Sequence, residues 1–483
     1  MEQIIKKIVG LSKGYEAFAV GGFARDLLLG FAPADIDLAV NKNALKYSKI
    51  LAKAFNSKVV ALDDEKQTYR IPLKSAPVLN IDVSLIVGKN IIEDLKKRDF
   101  TINAFAFDIN YYGDYKKHIL ACDKTAFADL KSKTVSAVSD GVFKDDPLRM
   151  LRAFRFCAEL NFQVSQKTLK RIKKSAKLIK RSAPERIKNE FFRILACKNS
   201  ADIIEQMNKC ALLGEIFPEI YKMQKASKKY YYHPGGLFEH SFLTLSATEK
   251  ILNNLNKIFP DNAKELEEYL SQKGAYSENI NGKNLLKFAA LFHDNAKPET
   301  AEKQGTKMRF FGHEEQGAAK LREIMLSLKT SKKDAQDASF LVENHMRPST
   351  LTKNNVVTKR AALKFFRDVK NLTPSLIILA MADWHSYRHL RIFTAKTLKK
   401  QEEAAKKLIE QYYKVKNAKP LKKVIDGNII MKKFKLKPGP WIGDLIKAVA
   451  AKQQEGKISD TKGALKAVSE KLTQVKKKYK IDR

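Results

Sequence analysis

Asp35 and Asp37 stand one residue apart in DIDLAV, shortly after the segment AFAV-Gly21-Gly22-FARDLLLG. AFAV has the composition of a strand, ends at the two glycines and is followed at once by the helical pattern FARDLLLG. Glycines let backbone approach a phosphate closely, and the N–H groups at a helix start carry partial positive charge toward it. That combination makes a triphosphate cradle. In DIDLAV the two-residue period of a strand puts Asp35 and Asp37 on one face and Ile36 in the core. Two carboxylates on one face suit Mg²⁺, a hard cation that takes oxygen ligands and serves phosphoryl and nucleotidyl transfer. Taken singly, a Gly-Gly pair is commonly a turn and Asp-x-Asp a surface loop. In succession, with Arg25 and Asp26 in the helix between them, they point to a nucleotidyltransferase site.

Two further clusters carry chemistry. In DDPLRMLRAFRF (145–156), Asp146 and Arg149 are three apart, a spacing that projects both from one face of a helix. Cytosine and adenine each present an exocyclic amino donor beside a ring-nitrogen acceptor, whereas uracil and guanine present a carbonyl beside a ring N–H. A carboxylate with a guanidinium complements the first pattern and rejects the second. The same two residues also read as an ordinary helix-surface ion pair. Farther on, residues 233–385 hold six of the eight histidines: His233, His240, His293, His313, His345 and His385. Asp294 adjoins His293, and Asp383 lies in ILAMADWHSYR. Imidazoles and aspartates spread over helices suit a transition metal.

The elements that position these residues change character along the chain. Up to about residue 140, short helical patterns alternate with the β-rich runs AFAV, IDLAV, KVVAL, TYRIPL, LNIDVSLIV and TINAFAFDI, which predicts an α/β domain. From KDDPLRMLRAFRFCAEL onward, apolar residues recur three and four apart with no strand pattern, so the remainder reads as all-α and the whole as α+β. Soft boundaries fall near KKYYYHPGGL and RIFTAKTLKKQEE. A chain of 483 residues, 44% hydrophobic, can bury substantial cores, and its length suggests two to four domains. Its net charge of +38, spread along the chain, points to a polyanion such as RNA as partner. No apolar run is long enough to span a membrane, and MEQIIKKIVGLSKG reads as an amphipathic helix and not as a secretory signal, so a cytoplasmic location is expected. Cys122, Cys157, Cys197 and Cys210 have neither metal-type nor disulfide-framework spacing.

GGFARDLLLGFAPADIDLAV resembles the signature of the tRNA nucleotidyltransferase and bacterial poly(A) polymerase family, the class II branch of the polymerase-β-like superfamily. The resemblance implies a polymerase-β-like α/β head followed by an all-α neck, an HD domain and a helical tail. It implies that Asp35 and Asp37 are the catalytic metal ligands and that Gly21, Gly22, Arg25 and Asp26 shape the nucleotide site. A third acid often comes from a neighbouring strand, and LNIDVSLI offers Asp82. RDFTINAFAFD resembles the second motif, which places Arg98, Asp99 and Asn103 around sugar and phosphates. DDPLRMLRAFRF is similar to the motif in which the positions of Asp146 and Arg149 read the base, so that the protein acts as its own template. APERIKNEFFRIL resembles the last motif; Arg152, Arg155, Arg186 and Glu190 then support the base site and neck, and an Arg186–Glu190 ion pair one helical turn apart is compatible with that.

The ordered series His240, His293, Asp294, His313, His345 and Asp383 resembles the HD phosphohydrolase superfamily. That likeness implies a site for divalent metal such as Ni²⁺ or Mn²⁺, bridged by Asp294, with Lys297 on a substrate phosphate. Asn295-Ala296 stands where isoleucine-glycine is usual and Tyr232 where many members have a second histidine, so metal binding is expected ahead of efficient hydrolysis. The tail LKKVIDGNIIMKKFKLKPGPWIG offers Lys422, Lys423, Lys432, Lys433, Lys435 and Lys437 either to an RNA backbone or to solvent as a plain basic face. The implied division is a head at 1–140, a neck at 141–228, an HD domain at 229–395 and an RNA-binding tail at 396–483. The implied activity is Mg²⁺-dependent addition of C, C and A from CTP and ATP to tRNA 3′ ends. A poly(A) polymerase shares every motif. HILACDKTAFADL has Asp123 and no glycine where the family commonly has an Asp-Pro-Phe-Gly-Gly loop, and a stiffer hinge there leaves a CC-only or A-only enzyme open. From another class, the chain could be an HD phosphohydrolase with an RNA-binding head.

Overall fold

In the computed structural model, residues 1–74, 80–226, 235–272, 280–352, 357–387, 394–418 and 423–479 are described. The chain divides into two compact units, Met1–Ala226 with Ile324–Ser331, and Ser227–Glu323 with Lys332–Arg483.

The first unit is built on a seven-stranded sheet of β1 (Ala17–Val20), β2 (Asp35–Val40), β3 (Val60–Asp63), β4 (Thr68–Pro72), β5 (Asn80–Leu85), β6 (Phe105–Asp108) and β7 (Leu120–Ala121), in the order β3-β4-β5-β2-β1-β6-β7. Only β2 and β5 run parallel; the other neighbours are antiparallel. Ile36, Leu38, Ile81 and Val83 are buried, and helix Ala44–Ala54 covers that face with the buried Tyr47 and Leu51. The alternation of the strand therefore turns Asp35, Asp37 and Asp82 toward the opposite face. Helix Gly21–Leu28 begins directly at the end of β1, its Phe23 packed near Phe107. The following helices Arg149–Leu160 and Pro184–Ala196 pack through Phe154, Phe191 and Phe192, all fully buried.

In the second unit, helix Thr373–Ser386 is buried on nearly every side and packs with helices Leu237–Leu252 and Gly282–Phe292, as expected of a helix apolar all round. A separate C-terminal cluster joins Ile430, Ile442, Leu445 and Val468 of the last three helices. The expectation of no strand from KDDPLRMLRAFRFCAEL (Lys144) onward is corrected. Gln163–Val164 pairs with Thr134–Val135, and Ala301–Gln304 forms an antiparallel hairpin with Lys307–Phe310. The hairpin is mostly exposed and only its second strand alternates, with Met308 and Phe310 half-buried; its other signal is Gly305, which takes φ +60 in a two-residue turn. Among the described residues no helix is long and apolar enough to cross a membrane. The four cysteines are free thiols.

Candidate active site

Asp35 pairs in register with Asn80, and Asp37 with Asp82, across the parallel β2–β5 junction. Asp35 Oδ1 accepts a hydrogen bond from Asn80 Nδ2 at 2.9 Å, and Asp37 Oδ2 accepts one from the Phe23 backbone N–H at 3.3 Å. Asp82 is gripped by Arg70 through two bonds of 2.8 and 2.7 Å, an arrangement the sequence reading did not foresee. Burial, and then the charge of Asp82, push the Asp37 carboxyl up to about 6, only partly offset by Arg98. Such crowding of carboxylates is the electrostatic setting of a cation site.

Gly21 is needed twice over. Its φ of +66 lies in the left-handed region, and a Cβ there would meet Arg98 Nη1 at 2.9 Å and Asp37 Oδ2 at 3.3 Å. Arg25 donates to Asp26 Oδ1 at 2.8 Å and to Asn103 Oδ1 at 2.7 Å, while Arg98 is held by Asp94 at 2.9 and 3.0 Å. Asp99 accepts from Asn103 Nδ2 at 3.1 Å and from Arg152 at 2.8 and 2.6 Å. Burial alone would raise the Asp99 carboxyl, but Arg152 and Asn103 hold it down at about 2.

Asp146 and Arg149 do not share a helix face, which corrects the spacing argument. Pro147 disfavours the helical conformation in the residue before it, and Asp146 sits extended at φ −143, ψ 104, at the end of helix Val142–Asp145 and three residues before the first residue of helix Arg149–Leu160. Its Oδ1 accepts from the Leu148 N–H at 3.1 Å and its Oδ2 from Arg186 at 2.8 Å. Arg149 instead donates to the carbonyl of Lys97 at 3.3 Å. The Arg186–Glu190 pair that the spacing allowed gives way to other partners: Glu190 accepts from Arg155 at 2.6 Å, and Arg186 donates to Asp146. Arg155 and Arg193 both reach Glu159, at 2.6 and 2.8 Å. All of the sequence-predicted transferase residues except Glu190 line one cavity of about 830 Å³, joined there by the unforeseen Arg70, Phe156, Glu159 and Arg193. Arg70 was legible only as a charged residue alternating with Tyr69 and Ile71 on a strand. Asp123 caps the helix at Thr125–Lys131, accepting from the N–H groups of Thr125 and Ala126 at 2.8 and 3.2 Å.

In the second unit the structure brings together His240, His293, Asp294, His313, His345, Asp383 and Lys297, all buried. Each histidine turns Nδ1 outward: His293 to the Ala290 carbonyl at 2.9 Å, His313 to Phe310 at 2.7 Å and His345 to Val342 at 2.6 Å. A carbonyl only accepts, so Nδ1 carries the proton. His240 Nδ1 lies 2.9 Å from Ser386 Oγ, whose own hydrogen is given to the Asp383 carbonyl. All four Nε2 atoms are thereby turned inward, where their lone pairs would serve as metal ligands once any proton on them is displaced. Candidate ligand atoms of His240, His293 and Asp383 lie within 4.8 Å of one another, as do those of His293, Asp294 and His345. Although burial opposes it, Asp294 and Asp383 raise metal-free His293 to about 10, while burial and His293 lower His345 to about 4. Lys297 Nζ lies 2.5 Å from Asp294 Oδ2. His385 stands apart, paired with Glu402 at 2.9 Å. His233, Tyr232 and Lys422 lie outside the described residues.

The mixed sheet, its acid pair and the glycine turn define a nucleotidyltransferase with a polymerase-β-like head. Residues 17–136 match the poly A polymerase head domain, 161–223 the probable RNA- and SrmB-binding site of polymerase A, and 237–388 the HD domain. In this order of domains the chain is similar to the tRNA nucleotidyltransferase and poly(A) polymerase family, in a form that carries an HD domain. It is similar to the CC-adding tRNA nucleotidyltransferase of Thermus thermophilus, 26% identical over 92% of this chain and 91% of the relative. The A-adding tRNA nucleotidyltransferase of Deinococcus radiodurans is 28% identical over 92% of each chain. A Thermotoga maritima CCA-adding enzyme complexed with tRNA has the same fold, with a TM-score of 0.64 at 21% identity over 97% of this chain and 95% of that one.

Proposed function

We propose that the chain adds C, C and A to tRNA 3′ ends from CTP and ATP, releasing pyrophosphate. The observation that carries this reading is that the Asp35–Asp37 pair shares one cavity with a carboxylate and a guanidinium suited to reading C and A, Asp146 and Arg149. The oxygen donors and the raised Asp37 carboxyl fit Mg²⁺, which Asp35 and Asp37 would hold. When bound, that ion neutralises charge on the leaving pyrophosphate and favours ionisation of the attacking 3′-hydroxyl. The chain's own residues position the rest. Gly21 and Gly22 admit the triphosphate close to backbone, Arg25, Arg98 and Arg152 orient its oxygens, and the bond between the α-phosphorus and the pyrophosphate oxygen breaks as the 3′-oxygen bonds to the α-phosphorus.

Arg186 and the Leu148 N–H orient the Asp146 carboxylate so that it accepts from the exocyclic amine of C or A, while Arg149 donates to the ring nitrogen. Asp82 serves as a neighbouring negative charge as long as Arg70 occupies both its oxygens. In the second unit, the inward Nε2 atoms fit a soft-to-borderline divalent ion such as Mn²⁺ or Ni²⁺, with a phosphoester beside Lys297 as the substrate class.

Radiolabelled CTP and ATP, supplied singly and together to transcripts ending before CCA and after CC, test the transfer reading. Growth by all three nucleotides supports it, and homopolymeric A addition would point to a poly(A) polymerase. A partial specialist is the second reading, favoured by the Asp123 cap, which leaves no glycine hinge before that helix; it requires growth to stop after CC or to begin only from CC.

A further inference from the structure

We propose that Phe156 is a positioning residue for the nucleotide, its ring holding the guanidinium groups of Arg25, Arg152 and Arg155 at fixed orientations in the cavity. The inference rests on the reading of that cavity as a nucleoside triphosphate site. Phe156 is 5% exposed, and Phe100 packs against it edge-on, with ring centroids 5.9 Å apart at 81°. The guanidinium carbons of Arg25 and Arg152 lie 5.4 Å from the ring centroid and that of Arg155 lies 4.1 Å away.

Three cations gathered around one side chain repel one another, and the repulsion grows as water is excluded. The negative face of an aromatic ring attracts each of them, which a Leu of similar volume cannot do. Carboxylates constrain the same groups along a second direction. Arg152 gives Nε and Nη2 to Asp99, and Arg155 gives Nε to Glu190 and Nη1 to Glu159. Arg25 gives Nε to Asp26 and Nη1 to Asn103. Among the described residues, Arg152 Nη1 and Arg155 Nη2 have no hydrogen-bond partner. With the guanidiniums gathered at the ring and their edges held by carboxylates, those N–H groups remain for acceptor oxygens or ring nitrogens of a ligand. The ring thus pre-organises donors, which lowers the ordering cost of binding.

The test uses the full chain with Phe156 replaced, by nonsense suppression, with mono-, tri- and pentafluorophenylalanine. These keep the shape of the ring while progressively removing its negative face. Affinity for CTP and ATP is measured by calorimetry with Mg²⁺ present, alongside KM, kcat and the thermal midpoint. The expected result is a graded loss of affinity and rise in KM, about tenfold across the series, with kcat and the thermal midpoint nearly constant. Phe156→Leu should match the pentafluoro protein in affinity. A flat series in a protein that binds and transfers nucleotides overturns the role of Phe156 and leaves the reading of the cavity intact. A native chain that binds neither nucleotide overturns both.

Discussion

Asp37→Asn removes a negative charge that the metal-free protein accommodates poorly. Burial and Asp82 lift the Asp37 carboxyl from 3.8 to about 6. A rise of about two pH units corresponds to about 3 kcal/mol, an upper bound because the carboxylate borders a cavity where water screens it. The folded state binds the proton more tightly than the unfolded state, so this group lowers stability as pH rises from about 4 to about 6, and its penalty is complete above that range. Asparagine carries no such penalty. In EDTA at about pH 8 the variant should unfold at a higher temperature than the native chain, by about 2–4 °C per kcal/mol for a unit of this size, and at about pH 4 the two should converge. Mg²⁺ should raise the midpoint of the native chain by mass action and leave the variant unmoved, while nucleotide transfer by the variant is lost. Thermal unfolding followed by circular dichroism, in EDTA and in Mg²⁺ across that pH range, measures all of this. Equal stability at about pH 8, or an identical response of both proteins to Mg²⁺, would refute the assignment of Asp37 as a strained carboxylate awaiting a cation.

Arg152→Met should destabilise the first unit by about 3–5 kcal/mol, because Asp99 is then left buried and unpaired, and adding Asp99→Asn should restore most of it in urea denaturation. In the native chain the contribution of Asp99 is present above about 4 and is lost as pH falls toward about 2, since its carboxyl is held low in the folded state. Asp146→Ala should retain transfer but admit UTP and GTP, with Arg186→Ala shifting selection the same way by less; an Asp146→Ala protein still strict for CTP and ATP in a gel extension assay counts against base reading. His293→Ala should abolish Mn²⁺ or Ni²⁺ binding by calorimetry, because both candidate ligand groups use it, and leave addition to tRNA unchanged; stoichiometric binding by that variant refutes the metal centre.

The acid pair and the glycine turn were legible because each depends on local chemistry or a short period, whereas the histidine series was legible through its resemblance to the HD superfamily. Asp35 and Asp37 needed only strand alternation, and the strand-to-helix turn at Gly21 needed only composition. The Asp146–Arg149 geometry was misread for a local reason that the sequence also contains, Pro147. The hairpin at 301–310 escaped because its first strand is polar after Ala301 and only the four-residue second strand, with Met308 and Phe310 half-buried, alternates.

The sequence by itself therefore determined the chemistry on offer: a phosphate cradle, paired carboxylates, imidazoles for a metal and a strongly cationic chain. Only the tertiary structure decided the partners. Arg152 meets Asp99 across 53 residues, Arg186 meets Asp146 across 40, and Arg70 captures Asp82 through the register of two antiparallel strands. Short-range periodicity selects which face a side chain occupies, but which charges neutralise each other depends on how distant faces close over a shared low-dielectric space, and no local pattern encodes that closure.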